Sequence, residues 1–189
     1  MTGPVISISG PPGAGKSTLG RWLTTHLGAT RVNYDDYEQM TRRSEAEVGE
    51  WLQRGAPIDE IPAPGLAEAV LSARSKGITI YETHLGRAWS PTRDLIDISI
   101  WIETPLDLAL SRRLQTITSL WETNGASGPH CAQWLKGHLH AYESIVRPSL
   151  MVQLDRVRSQ ADLIVQNDKA FEETRAQVLA GIAQIQNQK

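Results

Sequence analysis

The sequence predicts an α/β fold: a parallel five-stranded sheet with helices on both faces. Three observations carry that reading. Short β-branched runs alternate with helical periodicity along nearly the whole chain. The first run, Val5–Ser9, feeds straight into a glycine-rich loop and then a helix. Most residues just after each run are polar or glycine, as expected where ligands bind beyond the carboxyl ends of parallel strands.

The elements follow in order. Val5–Ser9 reads as a buried strand. Behind the loop, Leu19, Trp22, Leu23, His26 and Leu27 recur at helical spacing. Residues 31–34 form a short second strand, and a helix is expected around 46–52. Residues 55–65, rich in proline and acids, read as a surface loop. A helix over 66–75 is stopped by Lys76 and Gly77. Strands three and four fall at 78–81 and 97–102. Residues 106–117 are helical, with Leu106, Leu110, Leu114 and Ile117 on one face. Small turn residues make 124–129 a loop. Two more helices cover 132–146 and 148–157, with Pro148 in a first turn. The fifth strand is 162–165. The last helix, 171–185, turns Val178, Leu179, Ile182 and Ile185 toward the sheet.

Composition bounds the class. A chain of 189 residues reads as one domain that can bury a core without metal or disulfides. Its net charge of −2 and lack of a basic run argue against a nucleic-acid surface. A single cysteine, Cys131, precludes an intrachain disulfide and suits a reducing compartment. No leader-like segment precedes the first strand and no apolar run is long enough to span a bilayer, so the expectation is a cytoplasmic protein without membrane contact. Six tryptophans accompany one phenylalanine; Trp51, Trp89, Trp121 and Trp134 fall in segments expected to cap a pocket.

The chemistry begins with Gly10, Pro11, Pro12, Gly13, Ala14, Gly15, Lys16 and Ser17, which fit G-x-x-x-x-G-K-[ST]. Glycines let successive N–H groups turn inward around an anion, and the helix start (Ser17, Thr18) adds unpaired donors and the positive dipole end. Lys16 is expected on the β- and γ-phosphates and the Ser17 hydroxyl on Mg²⁺. A dinucleotide-binding reading fails because the third small residue of G-x-G-x-x-G/A is missing. A guanine-nucleotide switch is disfavoured because no N-K-x-D segment is present.

Around that loop stand candidate catalytic groups. Asp35 and Asp36 end the second strand; one can take a proton from an attacking hydroxyl, and Asp35 is preferred, with helix capping as the alternative use. Glu82, at the tip of strand three, is placed to meet a substrate hydroxyl or the magnesium shell. His84 and Arg87 follow as candidate substrate contacts. Arg112 and Arg113, about 100° apart on their helix, offer one side chain for the transferred phosphate. His130, Cys131, His138 and His140 lack zinc-site spacing.

With those residues in view, the chain resembles the P-loop small-molecule kinases, nearest the uridine kinase and phosphoribulokinase group. The resemblance implies a three-layer P-loop NTPase sandwich with sheet order 2-3-1-4-5 and a helical lid over about 106–135. It implies Asp35 as general base, a substrate contact at Tyr37, and Arg112 or Arg113 as the lid arginine. The expected reaction is transfer of the γ-phosphate of ATP, with Mg²⁺, to a small hydroxylated molecule such as uridine. A sugar, a sugar acid or adenylylsulfate as acceptor, a non-catalytic nucleotide-binding module, and assembly as a homodimer all stay open.

Overall fold

The computed structural model describes residues 2–187. Its sheet contains β1 (Val5–Ser9), β2 (Thr30–Asn33), β3 (Thr79–Glu82), β4 (Ile98–Glu103) and β5 (Leu163–Gln166). Their spatial order is β2-β3-β1-β4-β5, with every neighbouring pair parallel. Ile6 of the central strand lies opposite Ile80 on one side and Ile98 on the other. The helices are α1 (Lys16–Leu27), α2 (Glu45–Gln53), α3 (Leu66–Lys76), a short α4 (Ser90–Arg93), α5 (Leu106–Asn124), α6 (Gly128–Ala141), α7 (Arg147–Arg156) and α8 (Phe171–Asn187). None of them is long and apolar enough to cross a membrane.

Strand alternation sorts the core into two layers. Ile6, Ile8, Ile80, Ile100 and Ile102 point to one face, where Leu19 and Leu23 of α1 and Val178 and Ile182 of α8 cover them. Val5, Tyr81 and Trp101 point to the other, against Trp51 of α2, Leu66 and Val70 of α3, and Val157. Both faces of every central strand are dry, which is why these strands read as nearly continuous apolar runs.

Strands three to five each sit one residue later than the apolar runs predict. Their last residues, Glu82, Glu103 and Gln166, are polar but stay in the ladder. The acids expected to open strands four and five act on their neighbours instead. Asp97 accepts from the Val5 amide at 2.8 Å, and Asp162 accepts from the Ser99 amide at 2.8 Å. These carboxylates stitch together the amino ends of adjacent strands.

Three further expectations are corrected. Residues 55–65 are not a surface loop: Ala56, Ile58, Ile61 and Ala63 are buried, and Trp51 Nε1 donates to the Pro57 carbonyl at 3.0 Å. Helix α5 runs to Asn124, about two turns past the expected end, because its stop is Gly125 at φ +63°. It buries Ala109 and Ile117, whereas Leu106, Leu110 and Leu114 are only half-buried, since it packs on a loop and not on the sheet. Helices α6 and α7 are joined by a π-helical turn, Tyr142–Val146, that precedes the donor-less Pro148 in the first turn of α7.

Candidate active site

The loop between β1 and α1 owes its shape to two glycines. Gly13 has φ +85° and Gly15 has φ +95°, a region costly for other residues. A side chain at Gly13 would also collide with the Ala109 carbonyl of α5, and one at Gly15 would meet Asn167 Nδ2 at 2.7 Å. The loop is closed by the Ala14 amide donating to the Pro11 carbonyl at 3.0 Å. Asn167, just past β5, braces it from below. Its amide donates to the Ala14 carbonyl at 2.6 Å, its oxygen accepts from Thr174 Oγ1 at 2.9 Å, and its carbonyl accepts from Arg112 Nη1 at 2.7 Å.

Lys16 opens α1 and curls back over the loop, donating to the carbonyls of Gly10 at 2.8 Å and Pro11 at 3.1 Å. Burial lowers its pKa from 10.5 to about 8; Asp35 and Glu82 oppose that shift and Arg113 adds to it. Two carbonyls at this spacing hold the ammonium where a polyphosphate oxygen would replace them.

This loop forms one wall of a cavity of about 740 Å³. Pro12, Gly13, Gly15, Lys16, Ser17 and Thr18 line it, as do Asp35, Glu82, His84, Arg112 and Arg113. Most residues singled out in the sequence therefore converge on one space at the carboxyl end of the sheet, where parallel α/β sheets bind ligands.

Asp35 lies in the 3-10 turn Tyr34–Asp36 that ends β2, where its amide donates to Asn33 Oδ1 at 3.3 Å. Its side chain is 63% exposed and opens onto the cavity. Loss of surrounding water raises its pKa, Lys16 pulls it down, and Glu82 and Glu38 push it up. Asp36 is not on the cavity wall. His84 Nε2 stands 3.7 Å from Asp35 Oδ1, and the Tyr34 ring meets the imidazole edge-on at 5.9 Å. Burial, then the Lys16 charge, hold the His84 pKa well below 6.5. The pair is therefore a neutral imidazole beside a carboxylate, beyond hydrogen-bond length, and not a salt bridge.

Glu82 is only 1% exposed. Arg31 Nε of β2 closes on its Oε1 at 2.5 Å, and α1 makes room for the carboxylate with Gly20, where any Cβ would overlap it. Arg31 engages one of its oxygens, while its charge still acts on Lys16 and Asp35, which leaves Ser17 as the better placed of the two expected magnesium contacts. Among the described residues no group of three or more His, Cys, Asp or Glu is arranged to hold a metal. Mg²⁺ on a nucleotide commonly takes one or two protein oxygens and the phosphates, so the Ser17 hydroxyl suits it.

Arg112 and Arg113 divide their work. Arg112 is anchored to the Asn167 carbonyl, whereas Arg113 lines the cavity without a hydrogen-bond or ion-pair partner among the described residues. Two expected substrate contacts lie elsewhere. Arg87 is bound to Asp162 at 2.7 Å and to the carbonyls of Ile96 and Asp97, at the opposite end of β4. Tyr37 packs into the core cluster against Gly65. The tryptophans do not line the cavity either. Trp51 and Trp89 are core, and Trp121 meets Trp134 edge-on at 5.2 Å between α5 and α6. Sequence reading missed Asn33, Glu38, Thr41, Lys169 and Phe171 as cavity residues. The roles of Asn167 and Arg31 depend on partners 153 and 51 residues away, so no local signal marks them.

No family model matches the sequence. The chain is 35% identical over 115 residues to a cytidylate kinase from Methanothrix thermoacetophila, across 57% of this chain and 60% of that protein's length. It is 28% identical over 167 residues to a uridine kinase from Haemophilus influenzae, across 82% of this chain and 73% of that one. In structure it resembles a shikimate kinase from Acinetobacter baumannii solved in complex with shikimate, with a TM-score of 0.55 at 17% identity, covering 100% of this chain and 97% of the other.

Proposed function

We propose that this chain, which has the fold and phosphate loop of the P-loop small-molecule kinases, transfers the γ-phosphate of ATP to a hydroxyl group of a small molecule. One observation carries the reading: Lys16, Asp35 and Arg113 converge on the same cavity above the phosphate loop. Phosphoryl transfer needs little more than positioning and charge stabilisation, and these three groups supply both.

The glycine loop and the first turn of α1 bind the phosphates through main-chain N–H groups. Lys16 leaves the Gly10 and Pro11 carbonyls for the β- and γ-phosphates. Asp35 accepts the proton of the acceptor hydroxyl, its raised pKa bringing its basicity nearer the working range. Arg113, at the root of α5, neutralises charge on the group in flight, and the hairpin of α5 and α6 forms the lid beyond it. Ser17 would hold Mg²⁺, which when bound screens the phosphate charge.

A nucleoside such as uridine is the first acceptor to try, supported by the similarity to a uridine kinase over most of both chains. The test is ADP release from MgATP with a panel of hydroxylated acceptors. Acceptor-dependent release that falls by several orders of magnitude in Lys16→Ala is expected. Acceptor-dependent release that survives in Lys16→Ala would falsify the assignment.

A further inference from the structure

We infer that the acceptor is an uncharged polyhydroxylated molecule, one that carries neither carboxylate nor phosphate. This rests on the phosphotransfer reading and extends it from the reaction to the charge class of the substrate.

The observation is how the cavity's charges are distributed. The wall built by the ends of β2 and β3 presents Asn33, Tyr34, Asp35, Glu38, Glu82, Thr83 and His84. Three of these are carboxylates, Glu82 being paired with Arg31, and none is a cation, because His84 is held neutral. The guanidinium belonging to these strands, Arg31, is closed onto buried Glu82 and lies outside the cavity wall. Arg87, which follows β3, is tied to Asp162 at the far end of the sheet. Four of the cavity's cations come from the nucleotide side: Lys16 from the phosphate loop, Arg112 and Arg113 from α5, and Lys169 from the turn after β5. Arg21, on the second turn of α1, is the one remaining.

Recognition of a carboxylate or phosphate normally uses a guanidinium fork or a cluster of donors. An anionic acceptor reaching Asp35 would instead find a second carboxylate. Glu38 accepts from the Thr41 amide at 3.1 Å and from Thr41 Oγ1 at 2.6 Å, and it has no ion-pair partner among the described residues. Like charges brought together at these carboxylates oppose binding. Hydroxyl groups do the reverse, since they donate to carboxylates that can only accept. The Asn33 amide adds a neutral partner, so the wall suits a ring or chain of hydroxyls.

The test uses the full chain with MgATP and two acceptor sets. The neutral set is uridine, cytidine, ribose and glycerol; the anionic set is shikimate, gluconate and cytidine monophosphate. The expected result is turnover confined to neutral members, with kcat/KM at least about 100-fold above every anion. Glu38→Lys should raise the anion-to-neutral ratio by about tenfold, and the milder Glu38→Gln should move it the same way. An anionic acceptor that is preferred, above all one whose turnover depends on Arg21, overturns the inference, and so does a panel with no neutral substrate. Calorimetry with MgATP separates the two levels: absence of binding sinks the kinase reading, whereas MgATP binding with an anionic substrate sinks the charge class alone.

Discussion

The Arg112 guanidinium donates to the main-chain carbonyl of Asn167 across 2.7 Å, while the Asn167 amide holds the Ala14 carbonyl at 2.6 Å. Helix α5, sheet edge and phosphate loop are thus one connected unit. Arg113, the next residue, has no such duty and faces the cavity.

That division predicts opposite phenotypes for adjacent residues. Arg112→Ala should cost about 2 kcal/mol of stability, as loss of a charged hydrogen bond to a carbonyl of buried Asn167 does. Arg113→Ala should leave the melting temperature unchanged and lower kcat by about 10³-fold. Thermal melts and turnover of both variants decide it; an exchanged pattern reverses the roles.

Lys16 makes nucleotide binding depend on pH. In the free protein its pKa is about 8, against 10.5 ordinarily. Polyphosphate beside it favours the charged form and raises that value. Between the two values the complex holds a proton that the free protein has lost, so affinity declines as pH rises. Calorimetry at about pH 9 in buffers of different ionisation enthalpy should detect uptake approaching one proton. Binding without uptake would place the phosphates away from this ammonium.

The two neighbouring acids after β2 should behave differently. Asp35→Asn is expected to bind MgATP normally and to lose transfer by about 10²–10⁴-fold, as removal of a general base does. Asp36→Asn should transfer at a near-normal rate, because its carboxylate is off the cavity wall. Equal losses in both would assign the pair a structural role.

His84 should contribute to acid sensitivity. Its folded pKa is depressed, so the unfolded chain takes up a proton near pH 6.5 that the native protein refuses. Its stability contribution is complete above that pH and is lost as pH falls toward the folded value. Urea midpoints measured from neutral pH downward should fall less steeply in His84→Gln than in the parent. Identical slopes would mean the imidazole protonates without penalty.

The phosphate loop was legible because its chemistry is local: spacing, strand and helix all lie within one stretch. The place of Asp35 on the cavity wall was legible for the same reason, since it stands at a strand tip beside that loop. Arg87 was misread because its partner, Asp162, is 75 residues distant. Nothing near Arg87 reveals that it belongs to the amino end of β4. Glu82 shows both sides. Its place at the tip of β3 could be read, but its pairing with Arg31 required the β2–β3 register. Tyr37 and residues 55–65 failed because burial, unlike periodicity, depends on what folds back over a segment.

Gly13 has one more consequence. The Ala109 carbonyl presses so closely on it that a methyl group would not fit between them. The base of α5 is thereby clamped to the anion cradle and cannot swing without deforming it. Any hinge must lie farther out, beyond Ile117, where the helix loses its buried anchors. Closure over a bound nucleotide would then be a bending of the hairpin's distal arm, while its root keeps time with the phosphates.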